Sequence, residues 1–316
     1  MLVSYERECE TLRRRILFLG AGRRYDLINL FLENQSSIGV ELEFKSVEKF
    51  IGYRPPISDL IEVLNGPSFE SEEFTDYLVD HLKHHHTSII ISCMELSTLR
   101  LSEIDWSLYG VSFWGTPNSK DYIDKLRLYN WAKHIGLSYP EFTGNTKIVV
   151  VKNRIGYGSR EQIISSVENS ELDSHLKNKN LIVQDFVEGP ETSIDCYVTK
   201  NRAFSAIARD RLNVVGGEVM ETKTRSLSRV ESEIIRKIIE NSELLGPINI
   251  QLIGRDNLLL DINPRFSGGA TASIRAGWIA HEWLIKEYLL DRSISFPNKY
   301  ESLLVTRSRR DHVRMM

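Results

Sequence analysis

The pattern of apolar runs changes once along this chain, near residue 118, and that change restricts the fold more than any single motif. Before it, short apolar runs alternate with helical spacing. "RILFLG" (15–20) reads as a buried strand and "AGRRYDLINLFLEN" as a glycine turn opening a helix, with Tyr25, Leu27, Ile28, Phe31 and Leu32 on one face. "VELEFKS", "SEEFTDYLVDHLKHH" and "TSIIISCM" repeat strand, helix, strand, and "GVSFWGTP" adds a short strand. "FIGYRPPISDLIEVLNGPSFE" reads as a loop carrying a short helix. Alternation of this kind predicts a parallel sheet with helices on both faces, ending near Pro117.

After residue 118 the segments suit antiparallel pairing. "SKDYIDKLRLYNWAKHIG" is predicted as one amphipathic helix capped at Ser119 and stopped by Gly136. "KIVVVKN" is a strand, "EQIISSVENSELDSHL" a helix and "NLIVQDFVEG" a strand. "TSIDCYVTKN", "RAFSAIARDRLNV" and "GGEVMETKTRSL" suit three antiparallel strands. A long helix, "SRVESEIIRKIIENSELLG", a hairpin, "INIQLIGRDNLLLDINP", and a last helix, "TASIRAGWIAHEWLIKEYLL", complete the reading. The two halves together predict an α/β unit followed by an α+β unit, and 316 residues suffice for more than one core.

Composition narrows the chemistry. With 40 basic and 43 acidic residues the formal charge is −3, so no global field draws the chain to nucleic acid or an anionic membrane. Three separated cysteines, Cys9, Cys93 and Cys196, give neither a disulfide framework nor a zinc site, which fits a reducing cytoplasm. No apolar run reaches the roughly 18 residues of a membrane span. The "HLKHHH" cluster, with His81 and His85 at i, i+4, is read as a helix end rather than as metal ligands.

Three stretches carry candidate chemistry. In the hairpin, Gln251 on one strand and Asp261 and Asn263 on the other offer a carboxylate and amide oxygens, the donors a hard cation such as magnesium prefers. Arg265 follows within two residues, and a bland reading pairs it with Asp261. In "VVVKNRIGYGSR", Lys152 ends a strand and Gly156 and Gly158 open a loop whose amides can approach a phosphate. No Walker motif follows. In "LIVQDFVEGPETSID", a strand ends in a turn with Glu191 beyond. Arg209 and Arg211 alternate onto one face of a strand, Arg23 and Arg24 open the first helix, and "GAGRRY" lacks the third glycine of a dinucleotide fingerprint.

The order and spacing of these stretches resemble an ATP-grasp domain over 118–292, of the carbamoyl-phosphate synthase large-subunit type. The resemblance implies a Rossmann-like preATP-grasp domain (1–117), a two-subdomain ATP-grasp fold (118–300, divided near 188) and a basic tail (301–316). It implies that Lys125 touches phosphate or adenine and Lys152 the nucleotide phosphates, that Gly156, Gly158 and Ser159 belong to a closing loop, and that Gln184, Phe186 and Val187 belong to an adenine-reading hinge. Glu191 takes the place of the ribose acid, Gln251, Asp261 and Asn263 those of the magnesium ligands, and Arg265, Arg209 and Arg211 those of bases meeting the triphosphate or acid substrate. Asp261 stands where the family usually has glutamate. The implied cofactors are ATP and magnesium, or manganese in its place; the implied activity is ADP-forming ligation of a small carboxylic acid, an amino acid or sugar acid, to an amine or other nucleophile, in a cytoplasmic enzyme, with a homodimer as its expected assembly. A catalytically weak nucleotide-binding module is the alternative.

Overall fold

The computed structural model describes residues 14–20, 22, 24–35, 42–48, 61–156, 162–168 and 172–308. The first sheet has the order β3-β2-β1-β4, with β1 at Arg14–Leu19, β2 at Leu42–Glu48, β3 at Ile61–Asn65 and β4 at Ile89–Ser92, all parallel. Its side chains alternate by period 2 into two cores. Leu17, Leu19, Val47 and Ile90 pack under α2 (Glu73–His84), while Ile16, Phe18, Phe44, Ile89 and Ile91 face α1 (Tyr25–Glu33). β3 falls where the sequence suggests a loop and short helix: the prolines and glycines around it mask a run whose partner, β2, lies outside its own window. "GVSFWGTP" forms only a bridge, Ile89 to Phe113, rather than a strand. Past β4 lies a helix that the sequence reading omits, α3 (Glu95–Leu101).

The helix predicted from residue 119 to 136 is two helices, α4 (Lys120–Ile123) and α5 (Lys125–His134). Asp124 breaks them with an extended backbone, and its carboxylate accepts the Leu126 amide to cap α5. The Ser119 hydroxyl donates instead to the Thr116 carbonyl. Gly136 ends the helix as expected, with φ of 65°.

A small antiparallel sheet follows, order β6-β5-β7, with β5 at Ile148–Asn153, β6 at Ile163–Ser166 and β7 at Leu181–Asp185. The helix predicted over "EQIISSVENSELDSHL" is therefore corrected to β6 and a short α6 (Leu172–Lys177). Ile163 and Ile164 are β-branched and pair across the edge of β5, which outweighs their helical spacing.

The largest sheet has the order β12-β11-β8-β9-β10-β13: β8 at Glu191–Val198, β9 at Phe204–Val215, β10 at Glu218–Arg225, β11 at Gly246–Ile253, β12 at Leu258–Asn263 and β13 at Leu304–Thr306. The three predicted antiparallel strands and the hairpin are present. From the predicted basic tail, Leu304–Thr306 forms the edge strand β13 against β10. One face of this sheet buries Ile194, Cys196, Ala208, Ile248, Ile250 and Ile262 under α5 and α7 (Arg229–Glu240), the latter opened by a Ser228–Glu231 capping box. The other face packs Tyr197 and Ile207 against α8 (Ala270–Arg275) and α9 (Ala280–Tyr288), two helices where one is predicted, parted at Gly277 with φ of 99°. That second core is shared with the first sheet: Phe31 of α1 meets Phe266 edge to face at 6.1 Å.

At the end of α2 the histidines have local roles. His84 Nδ1 lies 2.8 Å from the Asp80 carbonyl oxygen, and the His81 ring rests 4.7 Å from that of His85. Burial pushes His81 down to about 4.

Candidate active site

The polar face of the large sheet gathers the candidates of the hairpin. Gln251 pairs directly with Asp261, and Asn249 with Asn263. The register slips between Gln251 and Leu252, so β12 carries an extra residue, Leu260. The bulge lets Leu259 and Ile262 enter the same core while Asp261 and Asn263 stay on the polar face. Strict alternation would have placed Leu259 beside Asp261.

A relay of hydrogen bonds ties this bulge to the small sheet. Lys152 Nζ donates to Tyr129 Oη at 3.1 Å, and Tyr129 Oη donates to the Leu260 carbonyl at 2.9 Å. Burial and the nearby Asp261 raise the phenol pKa, so Tyr129 keeps the proton that it donates. Its ring stacks on Tyr139 with centroids 4.8 Å apart. Tyr129 is missed by the sequence reading, although it lies at i+4 from Lys125 on the same helix face.

Lys125 and Lys152 are brought together by the start of α5. Lys125 donates its backbone N–H to the Arg154 carbonyl at 3.0 Å, and the Arg154 guanidinium binds the Asp124 carboxylate at 2.6 and 3.0 Å. The Lys152 ammonium is thereby held where burial and then the Lys125 charge push its pKa down to about 8, against the opposing pull of Asp261 and Glu191. Two lysines thus share a partly desolvated space. The Asp261 carboxylate makes no hydrogen bond or ion pair among the described residues, so the bland pairing with Arg265 is absent.

Arg265 pairs instead with Glu95 of α3, donates to the Phe266 carbonyl at 2.9 Å and reaches Asn263 Oδ1 at 3.3 Å. Arg211 pairs with Glu191. Burial, opposed by that pair, lowers the Arg211 pKa. The Nε atoms of Arg211 and Arg265 are both buried without a partner among the described residues. Arg209 differs from its neighbour. At 1% exposure it donates Nε to Asp195 at 2.7 Å and Nη2 to Asp195 at 3.3 Å and to Ser267 at 2.8 Å. Ser273 Oγ and Asn249 Nδ2 complete the shell of Asp195 at 2.6 and 3.0 Å. Arg209 is therefore tied to the 266–269 loop and not free beside Arg211.

In the hinge, Gln184 is buried and donates its side-chain amide to the Pro140 carbonyl at 2.6 Å. The Asp185 and Phe186 N–H groups donate to Glu141 and Ile148 carbonyls, both at 3.0 Å. The Phe186 ring is exposed. Gly156 ends the described part of its loop; Gly158 and Ser159, like Arg23, lie outside the described residues.

The donor chemistry fits a hard divalent cation. An unpaired carboxylate, Asp261, faces the amide of Gln251 and shares its strand face with the oxygen of Asn263, with no thiolate or imidazole among these three. A single carboxylate makes this a lean set, suited to an ion that takes further oxygens from phosphate and water.

Comparison with known proteins bears on the fold. Residues 177–309 match the family described as ATP-grasp in the biosynthetic pathway with Ter operon. No curated protein sequence matches the chain. Among solved structures, an L-amino acid ligase from Bacillus licheniformis superposes with a TM-score of 0.64 at 15% identity, covering 88% of this chain and 74% of its own. N5-carboxyaminoimidazole synthetase from Staphylococcus aureus, complexed with ADP, gives 0.68 at 15% identity over 93% and 82%. A carboxyaminoimidazole ribonucleotide synthase from Aspergillus clavatus, complexed with ATP, gives 0.66 at 13% over 90% and 78%. The chain has the fold of the ATP-grasp ligases. Its ATP-grasp match begins in α6 and runs past β13, so it contains Glu191, Arg209, Arg211, Gln251, Asp261, Asn263 and Arg265. Among the described residues no helix is long and apolar enough to cross a membrane.

Proposed function

We propose that this protein is an ADP-forming ligase that activates a small carboxylic acid with ATP and transfers the acyl group to an amine. The observation that carries the reading is the meeting of Lys125, Lys152 and the unpaired Asp261 where the small and large sheets approach each other. Two ammonium groups there repel each other, and the Asp261 carboxylate, without an ion pair among the described residues, lies across from the Gln251 amide. A triphosphate with its magnesium ion relieves both, supplying anion to the lysines and cation to Asp261. The order Gln251, Asp261, Asn263, Arg265 favours the carbamoyl-phosphate synthase type of grasp domain, with 1–117 as its Rossmann-like partner and the units 118–188 and 189–300 as the two halves of the grip.

In this reading Lys125 and Lys152 hold the phosphate chain and Val187, whose neighbours Asp185 and Phe186 have already donated their N–H groups, offers the base edge. Glu191, oriented by Arg211, accepts a ribose hydroxyl. Gln251, Asp261 and Asn263 would hold magnesium, which supplies charge neutralisation at the transferring phosphoryl group. Arg265, kept beside Asn263 by Glu95, steadies the negative charge of phosphate and acid as they approach. Attack of the acid oxygen on the terminal phosphorus releases ADP and leaves an acyl-phosphate; the amine then displaces phosphate.

The test is magnesium-dependent ADP release by the full chain across pools of acids and amines, for wild type and Asp261→Asn. Release that needs particular acids and falls on the order of 10²-fold in the variant is expected, the size typical of losing one charge-stabilising group. Tight nucleotide binding with the terminal phosphate intact under every pool would replace the ligase by the nucleotide-binding module.

A further inference from the structure

Around the loop Phe266–Gly269, positive charge exceeds negative. Arg209 is neutralised by Asp195 and Arg265 by Glu95. Two more guanidinium groups reach the same loop. Arg307, just after β13, donates Nη2 to the Gly268 carbonyl at 2.6 Å. Arg24, at the head of α1, lies so close on the other side that a Cβ on Gly268 would stand 2.5 Å from its Nη1. Neither Arg24 nor Arg307 has an ion pair among the described residues, and Arg265 keeps a buried Nε without a partner. Burial, then Arg265, with Arg307 adding to it, pushes Arg24 down to about 10, against the weaker pull of Cys93 and Glu95. Three guanidinium groups thus lie about this loop, and one carboxylate, Glu95, is paired to one of them. Arg24 and Arg265 are desolvated and repel each other, and Arg307 adds its charge from the exposed side, so an anion at the loop would relieve all three.

We infer that Arg24, Arg265 and Arg307 form a second oxyanion site about Gly268, which selects an acid substrate bearing a further carboxylate or phosphate monoester besides the carboxyl that is activated. The inference rests on the ligase reading for the word substrate, and on the arginines alone for the site. Arg265 lies 3.3 Å from Asn263, so the site adjoins the metal-ligand face and a small molecule spans both. Guanidinium groups suit this task because each presents a planar fork to two oxygens. Arg24 and Arg307 come from opposite ends of the chain, and this makes the selectivity a property of the folded whole rather than of the hairpin.

The experiment is calorimetric titration of the full chain with inorganic phosphate and with malonate at fixed ionic strength, for wild type, Arg24→Gln and Arg307→Gln. Each titration is run with and without saturating ADP and magnesium, so that a failure of nucleotide binding leaves the anion result readable. Binding of one probe by wild type, with Kd raised at least about tenfold in each variant, is expected from loss of a charge-assisted contact. Response to phosphate assigns a phosphorylated acid, and response to malonate a polycarboxylic one. Arg307 is exposed, so its variant folds, and Arg24→Gln removes repulsion and leaves the melting temperature unchanged or higher. No binding of either probe, or equal binding by all three proteins, overturns the site even if ADP release is found.

Discussion

Replacing Asp195 by asparagine should destabilise this protein more than any other single change on the polar face of its large sheet. Asp195 is 1% exposed and accepts from Arg209, Ser273 and Asn249. Asparagine keeps the shape but leaves the Arg209 guanidinium, equally buried, without its counter-charge. A unit pair about 3 Å apart at an effective dielectric of about 20 attracts by roughly 5 kcal/mol, and breaking such a buried pair costs about 3–5 kcal/mol net. Urea unfolding followed by the fluorescence of the buried Trp278 and Trp283 reads this loss. The double variant Asp195→Asn, Arg209→Met removes both charges and should recover at least about 2 kcal/mol of the sum of the singles. Burial alone would raise the Asp195 pKa, but Arg209 and the hydroxyl donors outweigh it and the net shift is downward. A carboxylate with a lowered folded pKa stabilises above its unfolded value of about 3.9 and loses that stabilisation as pH falls through the folded value. The gap between wild type and Asp195→Asn should therefore close in acid. A loss under about 1 kcal/mol, or additive singles, would refute the argument that this pair holds the loop.

Two further outcomes follow from neighbouring contacts. A Cβ at Gly269 would overlap Arg209 Nη1, and Asp195 stops that guanidinium from moving aside, whereas the Arg24 guanidinium against Gly268 has no such anchor among the described residues. Gly269→Ala should cost about 1–3 kcal/mol in urea unfolding, and Gly268→Ala clearly less; equal losses would contradict the difference in anchoring. For Lys152, with its pKa near 8 in the free protein, nucleotide binding needs the ammonium form. ATP affinity should hold below pH 8 and fall by up to about tenfold per unit above it, until the bound-state pKa is reached. Lys125→Met removes a lowering charge, so calorimetry on that variant should show the break at higher pH, and an unmoved break would sink the assignment.

Much of the site was legible because β-hairpins are local. Gln251 could be put on one strand of the hairpin and Asp261 and Asn263 on the other from the pattern alone, and both strands are there. The bulge at Leu260 could not be read, since it depends on Tyr129 and a core that must admit both Leu259 and Ile262. The partner of Arg265 was also hidden. Glu95 is 170 residues away, and a short-range reading could only offer Asp261. Arg209 and Arg211 look alike by alternation, yet Asp195 closes around one while Glu191 takes the other at the rim. The failed helix over 161–176 has the same origin: its isoleucines answer to an edge strand that sequence proximity does not reveal.

The core shared by α1 and the large sheet has a practical meaning for anyone cutting this protein into pieces. Residue 118 marks a change of pattern, but Phe31 and Phe266 bury each other across it, together with Trp278 and Trp283. A fragment beginning at 118 would carry that aromatic surface into water, where it invites aggregation. The segment matched to the ATP-grasp family, 177–309, is thus shorter than the packing unit, which includes α1.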